Sequence, residues 1–169
     1  MTAVFINSFI LFFVAIDTIG NIPFFLSLTE EAKIKKRNQI AIKSVIIAFF
    51  IMITFAYAGR YLLDAIGVSL DSLKIAGGII LMILAIDILF EKRKTRREKR
   101  VEEALDEKSF DDIIVFPIAI PFIAGPAALT TIILLIGNYT INTEFQIPVI
   151  LALIAALVEI GRASCRERV

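Results

Sequence analysis

Five apolar stretches, residues 4–28, 44–59, 75–90, 113–136 and 145–158, alternate along the chain with loops dense in charge. The chain carries 18 basic and 17 acidic side chains, and the stretches hold only two of them, Asp17 and Asp87. A helix needs about 20 apolar residues to cross a hydrocarbon core of about 30 Å. The first and fourth stretches meet that length unaided. The second and third reach it when Lys43, Arg60 and Lys74 at their edges snorkel toward water. The fifth is short, running uninterrupted only from Pro148 to Val158 before Glu159. The pattern predicts an all-α protein, a polytopic transmembrane helix bundle with helices over about 4–28, 41–60, 72–91, 113–136 and 145–160. Together these form one membrane domain over residues 1–160. Residues 161–169, Gly-Arg-Ala-Ser-Cys-Arg-Glu-Arg-Val, are polar and aperiodic. They read as a non-native tail that packs against nothing, with the natural chain cut inside or just after the fifth helix; a genuine basic cytoplasmic tail is the other reading.

Composition agrees with this picture. Of the 169 residues, 58% are apolar, against about 45–50% in soluble domains, and the mean hydropathy is +0.84. The net charge of +1 says little about partners, because charge is segregated by loop. There is no histidine, which removes His-zinc, haem and Ser-His chemistry. The single cysteine, Cys165, excludes an intrachain disulfide and a thiolate cluster. No P-loop is present, and no metal or cofactor site is expected. The N-terminus lacks a charged region and a small-residue cleavage site before the first stretch, so that stretch is read as a retained span.

The basic residues predict the orientation. Loop 29–43 has five Lys and Arg, loop 91–112 has eight and the tail has three. Region 60–74 has two, and loop 137–145 has none. Basic residues accumulate in cytoplasmic loops, so the N-terminus is expected outside a bacterial or archaeal plasma membrane.

Two stretches are interrupted at their centres. The first reads Ala15-Ile16-Asp17-Thr18-Ile19-Gly20-Asn21-Ile22-Pro23. A carboxylate there costs at least about 2.5 kcal/mol on insertion scales. Gly20 and Pro23 break helices, and Asn21 can cap a restarted one. The fourth stretch reads Pro117-Ile118-Ala119-Ile120-Pro121-Phe122-Ile123-Ala124-Gly125-Pro126, followed by Thr130 and Thr131. Pro126 suits the first position of a restarted helix. Helices one and four are therefore expected to be discontinuous. Two full spans lie between them, so a second half that repeats the first enters from the opposite side. This predicts inverted three-helix repeats, with the sixth helix missing. Paired interrupted segments in matching positions point to a transporter substrate site.

Three segments carry a resemblance. Asp17-Thr-Ile-Gly-Asn-Ile-Pro-Phe-Phe-Leu-Ser-Leu-Thr29, Leu73-Lys-Ile-Ala-Gly-Gly-Ile-Ile80 and the run from Phe116 to Thr131 are similar to the MarC family of integral membrane proteins. The likeness covers about residues 4–160. It implies six plasma-membrane helices, a grouping with LysE-type exporters, and relatives described as small neutral amino acid transporters. The Asp-Pro pair common in the family reads Asp17-Thr18 here, which leaves Gly20 and Pro23 to make the first break.

The expected function is secondary transport of a small polar solute, a neutral amino acid being one candidate, with no enzymatic step. The expected substrate-binding residues are Asp17, Gly20, Asn21, Pro23, Gly125, Pro126, Thr130 and Thr131. Half-helix N-termini near Asn21 and Pro126 would face a carboxylate. Asp17 would take a proton or neutralise an amino group; a buried helix cap is its other reading. Gly125-Pro126 can equally be a packing kink. Gly77-Gly78 reads as a close-packing surface, Thr54 and Tyr57 as core, and Asp87 as interfacial, near Lys92 or Arg93. The other function classes are an intramembrane aspartyl-type hydrolase using Asp17 and Asp87, and a non-transporting scaffold or regulator. The partners expected are the lipid bilayer and the solute. The basic loops are explained by topology and anionic lipid, with no nucleic acid.

The orientation can be tested by single-cysteine labelling in a Cys165→Ser background. An impermeant thiol reagent applied outside should miss cysteines placed at Lys36 and Arg97 and modify one at Asn142. The reverse pattern would invert the topology and leave the span count standing.

Overall fold

The computed structural model describes residues 1–30, 32–89, 113–138 and 143–166, and all of its regular elements among them are helical. Helix α1 spans Thr2–Ile16, α2 Thr18–Leu28, α3 Ile34–Ala65 and α4 Leu70–Leu89. An irregular wide-turn segment, α5, spans Ile114–Ile123, followed by α6 over Pro126–Asn138 and α7 over Gln146–Arg166. The basic loop 91–112, with Lys92, Arg93 and Arg97, lies outside the described residues, as do Asn142, residues 167–169 and the side chain of Asp87.

Helix α3 and residues 146–164 of α7 are each long and apolar enough to cross a membrane. Two bent pairs qualify as broken spans: α1 with α2, bent by 41°, and α5 with α6, bent by 59°. The described residues thus hold two to four candidate spans. Helix α3 is longer than the 41–60 expected. Its 32 residues extend about 48 Å at 1.5 Å per residue, so it overruns the hydrocarbon. The overrun at its start is Lys35, Lys36 and Arg37, good helix formers that carry the helix into the polar zone.

Local chemistry sets the α3–α4 corner. Gly67 has φ +71°, a left-handed conformation that glycine adopts without steric cost. Its neighbour Val68 donates to the Leu63 carbonyl at 2.9 Å, and Gly67 donates to Asp64 at 3.2 Å, closing the helix in a Schellman arrangement. The Ser69 hydroxyl then accepts the Ser72 N–H at 3.1 Å and caps the start of α4.

The core lies where α1, α3, α5, α6 and α7 meet. Phe12, Ile16, Ile40, Met52, Ile132, Val149 and Leu153 are buried there. α1 packs chiefly on α7, α3 packs on α5, α6 and α7, and α4 on α6. Small residues permit the close approaches. A Cβ on Gly59 would meet the Ile133 side chain at 2.6 Å, and one on Gly77 would meet Thr130 Cγ2 at 2.6 Å. A Cβ on Gly78 would meet nothing, so only the first glycine of the Gly77-Gly78 pair is a packing surface. Large apolar side chains such as Val14, Phe50, Ile75 and Met82 are exposed, as suits surfaces that face lipid.

The fifth expected helix needs correction. It does not stop at residue 160. α7 continues to Arg166, and Ser164 is buried. The reason is register: Val149, Leu153, Ala156, Leu157, Ile160 and Ser164 form one inward stripe at helical spacing. The stripe passes through the small Gly161, where an added Cβ would lie 3.6 Å from Val45. Residues 161–164 therefore do not form the unpacked tail that their polarity suggests.

The glycine contacts yield opposite expectations for two neighbouring substitutions. Thr130 cannot swing away from a Cβ at residue 77, because its hydroxyl is held on the Pro126 carbonyl at 2.8 Å. Gly77→Ala should lower unfolding stability by about 1–3 kcal/mol through overpacking. Gly78→Ala should raise it by about 0.5–1 kcal/mol through helix propensity. Equilibrium unfolding in mixed micelles measures both, and equal effects would dissolve the α4–α6 contact.

Candidate functional site

The first break falls at Asp17, three residues before the expected Gly20. Asp17 has φ 52° and ψ 61°, a left-handed conformation that aspartate tolerates better than most residues. Its Oδ1 accepts the Gly20 N–H at 3.2 Å, which makes Asp17 the N-cap of α2. A Cβ on Gly20 would collide with that carboxylate, so the cap requires a glycine there. Asn21 and Pro23 do not make the break; both lie inside α2. The helix breakers singled out in the sequence are tolerated once a stronger device ends α1 one turn earlier.

The second bend falls between α5 and α6. α6 starts at Pro126, where a missing N–H costs nothing. The segment before it is more irregular than a kinked helix. Phe116 (φ −130°, ψ 121°) and Ile120 (φ −127°, ψ 125°) are extended, as residues preceding proline prefer. The Phe116–Pro117 and Ile120–Pro121 peptide bonds are cis. Such backbone leaves carbonyls without helical partners. It is tolerated at membrane depth only when protein supplies the donors.

Two side chains supply them. Ser44 of α3 donates to the Ile114 carbonyl at 3.0 Å. Asn21 of α2 donates through Nδ2 to the Phe122 carbonyl at 2.9 Å and to the Ile16 carbonyl at 2.6 Å. Asn21 is only 5% exposed. Its carboxamide thus ties the last carbonyl of α1 to the end of α5, joining the two breaks. The rings of Phe24 and Phe122 pack beside it with centroids 6.1 Å apart.

Of the residues expected to bind solute, Asp17, Gly20 and Asn21 gather at the first break, and Gly125 and Pro126 form the second. Pro23 is an exposed residue of α2. Thr130 and Thr131 donate back to the Pro126 and Ala127 carbonyls, each at 2.8 Å. Thr130 also turns its methyl toward Gly77, so it packs against α4. A cavity of about 20 Å³ adjoins the bridge, lined by Thr18, Asn21, Phe25, Ala41, Ile118 and Ser164 among others. Of the eight expected residues only Asn21 lines it. Thr18 and Ser164 went unnoticed in the sequence. Thr18 stood in plain view beside Asp17, whereas Ser164 was masked by the polar tail around it.

A larger open cavity of about 400 Å³ lies at the far end of α3, lined by Tyr57, Arg60, Tyr61, Asp64, Gly137 and Gln146. Tyr57 therefore faces open space and not the core, and Thr54 is exposed with its hydroxyl on the Phe50 carbonyl at 2.8 Å. The two cavities are separated along α3 by the stretch from Val45 to Ala56, which spans about 17 Å. Among the described residues no three His, Cys, Asp or Glu side chains come together as a metal site.

Comparison with known proteins places the chain in a family. The profile of the MarC family integral membrane proteins matches residues 2–165. The chain is 42% identical over 157 residues to a UPF0056 membrane protein of Archaeoglobus fulgidus, covering 91% of this chain and 70% of that protein. It is 32% identical to the UPF0056 membrane protein YvbG of Bacillus subtilis, covering 83% of this chain and 66% of the relative. It is 29% identical to the UPF0056 inner membrane protein YhgN of Escherichia coli, over 79% and 64% respectively. No solved structure matches. The chain belongs to the MarC family, whose relatives span archaea and bacteria.

The bridge makes a direct prediction. Asn21→Leu keeps the branched outline with more bulk and strands the carbonyls of Ile16 and Phe122. At about 1–3 kcal/mol for each buried group left unpaired, the loss should reach about 2–4 kcal/mol. Ser44→Ala strands one carbonyl and should cost about half as much. Unfolding midpoints of the two variants in bicelles test the ordering, and an Asn21→Leu protein as stable as wild type would remove the bridge from the stability of the fold.

Proposed function

We propose that this MarC-family chain is a secondary transporter of a small polar solute, in the class of the neutral amino acids, with its solute site at the two breaks. One observation carries the reading: the Asn21 carboxamide bonds to backbone carbonyls at both interrupted spans. Paired discontinuous helices that meet inside the bilayer are the usual frame of a transporter site. In this reading α1–α2, α3 and α4 form one repeat, and α5–α6 and α7 begin a second of inverted topology. The starts of α2 and α6 present positive dipole ends to a solute carboxylate. Asp17 caps α2 and exchanges the coupling proton from the same position. The chain lies with its N-terminus outside, so the open cavity by Tyr57 and Arg60 is an outer vestibule. Solute would pass from it toward the breaks with no bond made or broken, and the chain has no catalytic role.

Reconstitution tests this. Proteoliposomes holding the chain should take up radiolabelled glycine or alanine when a pH gradient is imposed. Asp17→Asn should insert normally and lose at least tenfold of the gradient-driven uptake. Uptake unchanged in that variant at every pH would reduce Asp17 to a helix cap. The Archaeoglobus fulgidus relative, which is longer, is assayed in parallel. Absence of amino acid uptake in both would overturn the transport reading.

A further inference from the structure

The open cavity at the far end of α3 carries charge that the breaks do not use. It holds about 400 Å³, and Tyr57, Arg60, Tyr61 and Asp64 of α3 line it together with Gln146 of α7. A water molecule takes about 30 Å³ of liquid, so the space suits a group of many heavy atoms. Its position along α3 sets its depth. The apolar stretch 44–59 ends where Arg60 opens a polar turn, which puts the cavity where hydrocarbon gives way to headgroups. Tyr57 and Tyr61 are exposed beside it, and tyrosine favours that level of a bilayer.

The charges narrow the occupant. Arg60 and Asp64 stand one turn apart on α3, a spacing that brings side chains to about 5–6 Å between Cβ atoms and favours pairing of opposite charges. Asp64 nevertheless takes part in no ion pair among the described residues, and both residues line the cavity. One occupant therefore meets a guanidinium and a carboxylate side by side. The guanidinium fork matches a phosphate. The carboxylate only accepts hydrogen bonds, so it matches the N–H groups of a primary ammonium. A trimethylammonium offers it no N–H, and a purely anionic headgroup would be repelled. A further feature selects a lipid over a soluble zwitterion. Ile46, Phe50, Tyr57 and Tyr61 are exposed and share one face of α3 with Asp64, within an arc of about 60° at 3.6 residues per turn. This apolar stripe climbs from the hydrocarbon to the cavity, a path along which an acyl chain can lie.

We propose that the cavity is a headgroup site for a phospholipid of the phosphatidylethanolamine class, with its phosphate on Arg60, its ammonium on Asp64 and an acyl chain along Tyr57, Phe50 and Ile46. The proposal does not rest on the transport reading, in which a headgroup seated in the vestibule would close the solute's path. Binding is read without uptake, so either can fail alone.

The experiment uses the purified chain in nanodiscs of dioleoyl phosphatidylcholine, with part of the lipid replaced by the phosphatidylethanolamine or the phosphatidylglycerol of the same chains. The thermal midpoint should rise saturably with phosphatidylethanolamine and stay flat with phosphatidylglycerol, and native mass spectrometry should find phosphatidylethanolamine retained on the protein. Arg60→Gln and Asp64→Asn should each weaken that binding about fivefold, the scale of one ion pair open to solvent. Asp71→Asn removes another exposed acid at the same end of the bundle, one paired with Lys74, and should change nothing. Equal midpoints in the three lipids overturn the proposal. Protection by phosphatidylglycerol that needs Arg60 and not Asp64 makes the cavity a plain anion site and overturns it. Protection by free phosphoethanolamine or glycine in phosphatidylcholine nanodiscs, equal to that of the lipid, assigns the cavity to a soluble zwitterion and overturns it too. A phosphatidylethanolamine effect untouched by both variants puts the lipid elsewhere, with the same consequence.

Discussion

A backbone carbonyl in hydrocarbon has no water to turn to, and leaving it bare costs several kcal/mol. That constraint governs this fold. Two of its helix pairs are bent at a break, at Asp17 and at Ala124–Gly125, and each break leaves carbonyls without helical partners. The Asn21 carboxamide answers both at once, with one proton on Ile16 and one on Phe122. Because the amide is planar and short, α2 must bring its first turn against the end of α5. The Phe24–Phe122 contact and the burial of Ile118 and Phe122 follow from that approach. Ser44 does the same for Ile114, which fixes the entry of α5 against α3. The irregular segment is thus held at both ends by polar side chains from other helices, and apolar packing fills the space between.

Much of this was legible from residue pattern, and the rest was hidden for physical reasons. Pro126 at the start of α6 follows from local chemistry alone, since proline pre-sets the first helical residue whatever surrounds it. The break at Asp17 was misplaced because glycine and proline are weighed as breakers one at a time. A capping carboxylate in a left-handed conformation ends α1 first, and Gly20 is then needed as the residue the cap can approach. The irregularity of α5 was available in principle. Pro117 and Pro121 each force an extended residue before them, and they stand four apart in the sequence. The partner of Asn21 could not be read, because Phe122 lies 101 residues away and offers a backbone atom that leaves no mark on residue identity. Ser164 misled for the opposite reason: polar neighbours concealed a stripe that runs unbroken from Val149.

Small residues divide the labour in the bundle. Gly59 and Gly77 admit Ile133 and Thr130 of α6 to close contact with α3 and α4. Without a hydrophobic force between helices in lipid, such close packing is what binds them. Thr130 serves this contact twice, through a methyl on Gly77 and a hydroxyl bonded within its own helix. Its neighbour Thr131 is likewise bonded to the preceding turn. Hydroxyls that looked available for solute are therefore committed as donors to α6 itself, and only their lone pairs remain.

The same accounting locates where polarity is unspent. Among the buried side chains around the breaks, Asn21 donates fully and accepts nothing, and Thr18 makes no hydrogen bond through its hydroxyl. Both unspent oxygens belong to the first turn of α2, the element whose start Asp17 fixes. A cap that ended α1 one residue later would rotate this turn by about 100° and carry Asn21 away from Phe122. The bridge, the cavity and the bend are thus consequences of a single choice of backbone conformation at Asp17. That choice makes the first break, rather than the more irregular second one, the place where the buried polar chemistry of the bundle is organised.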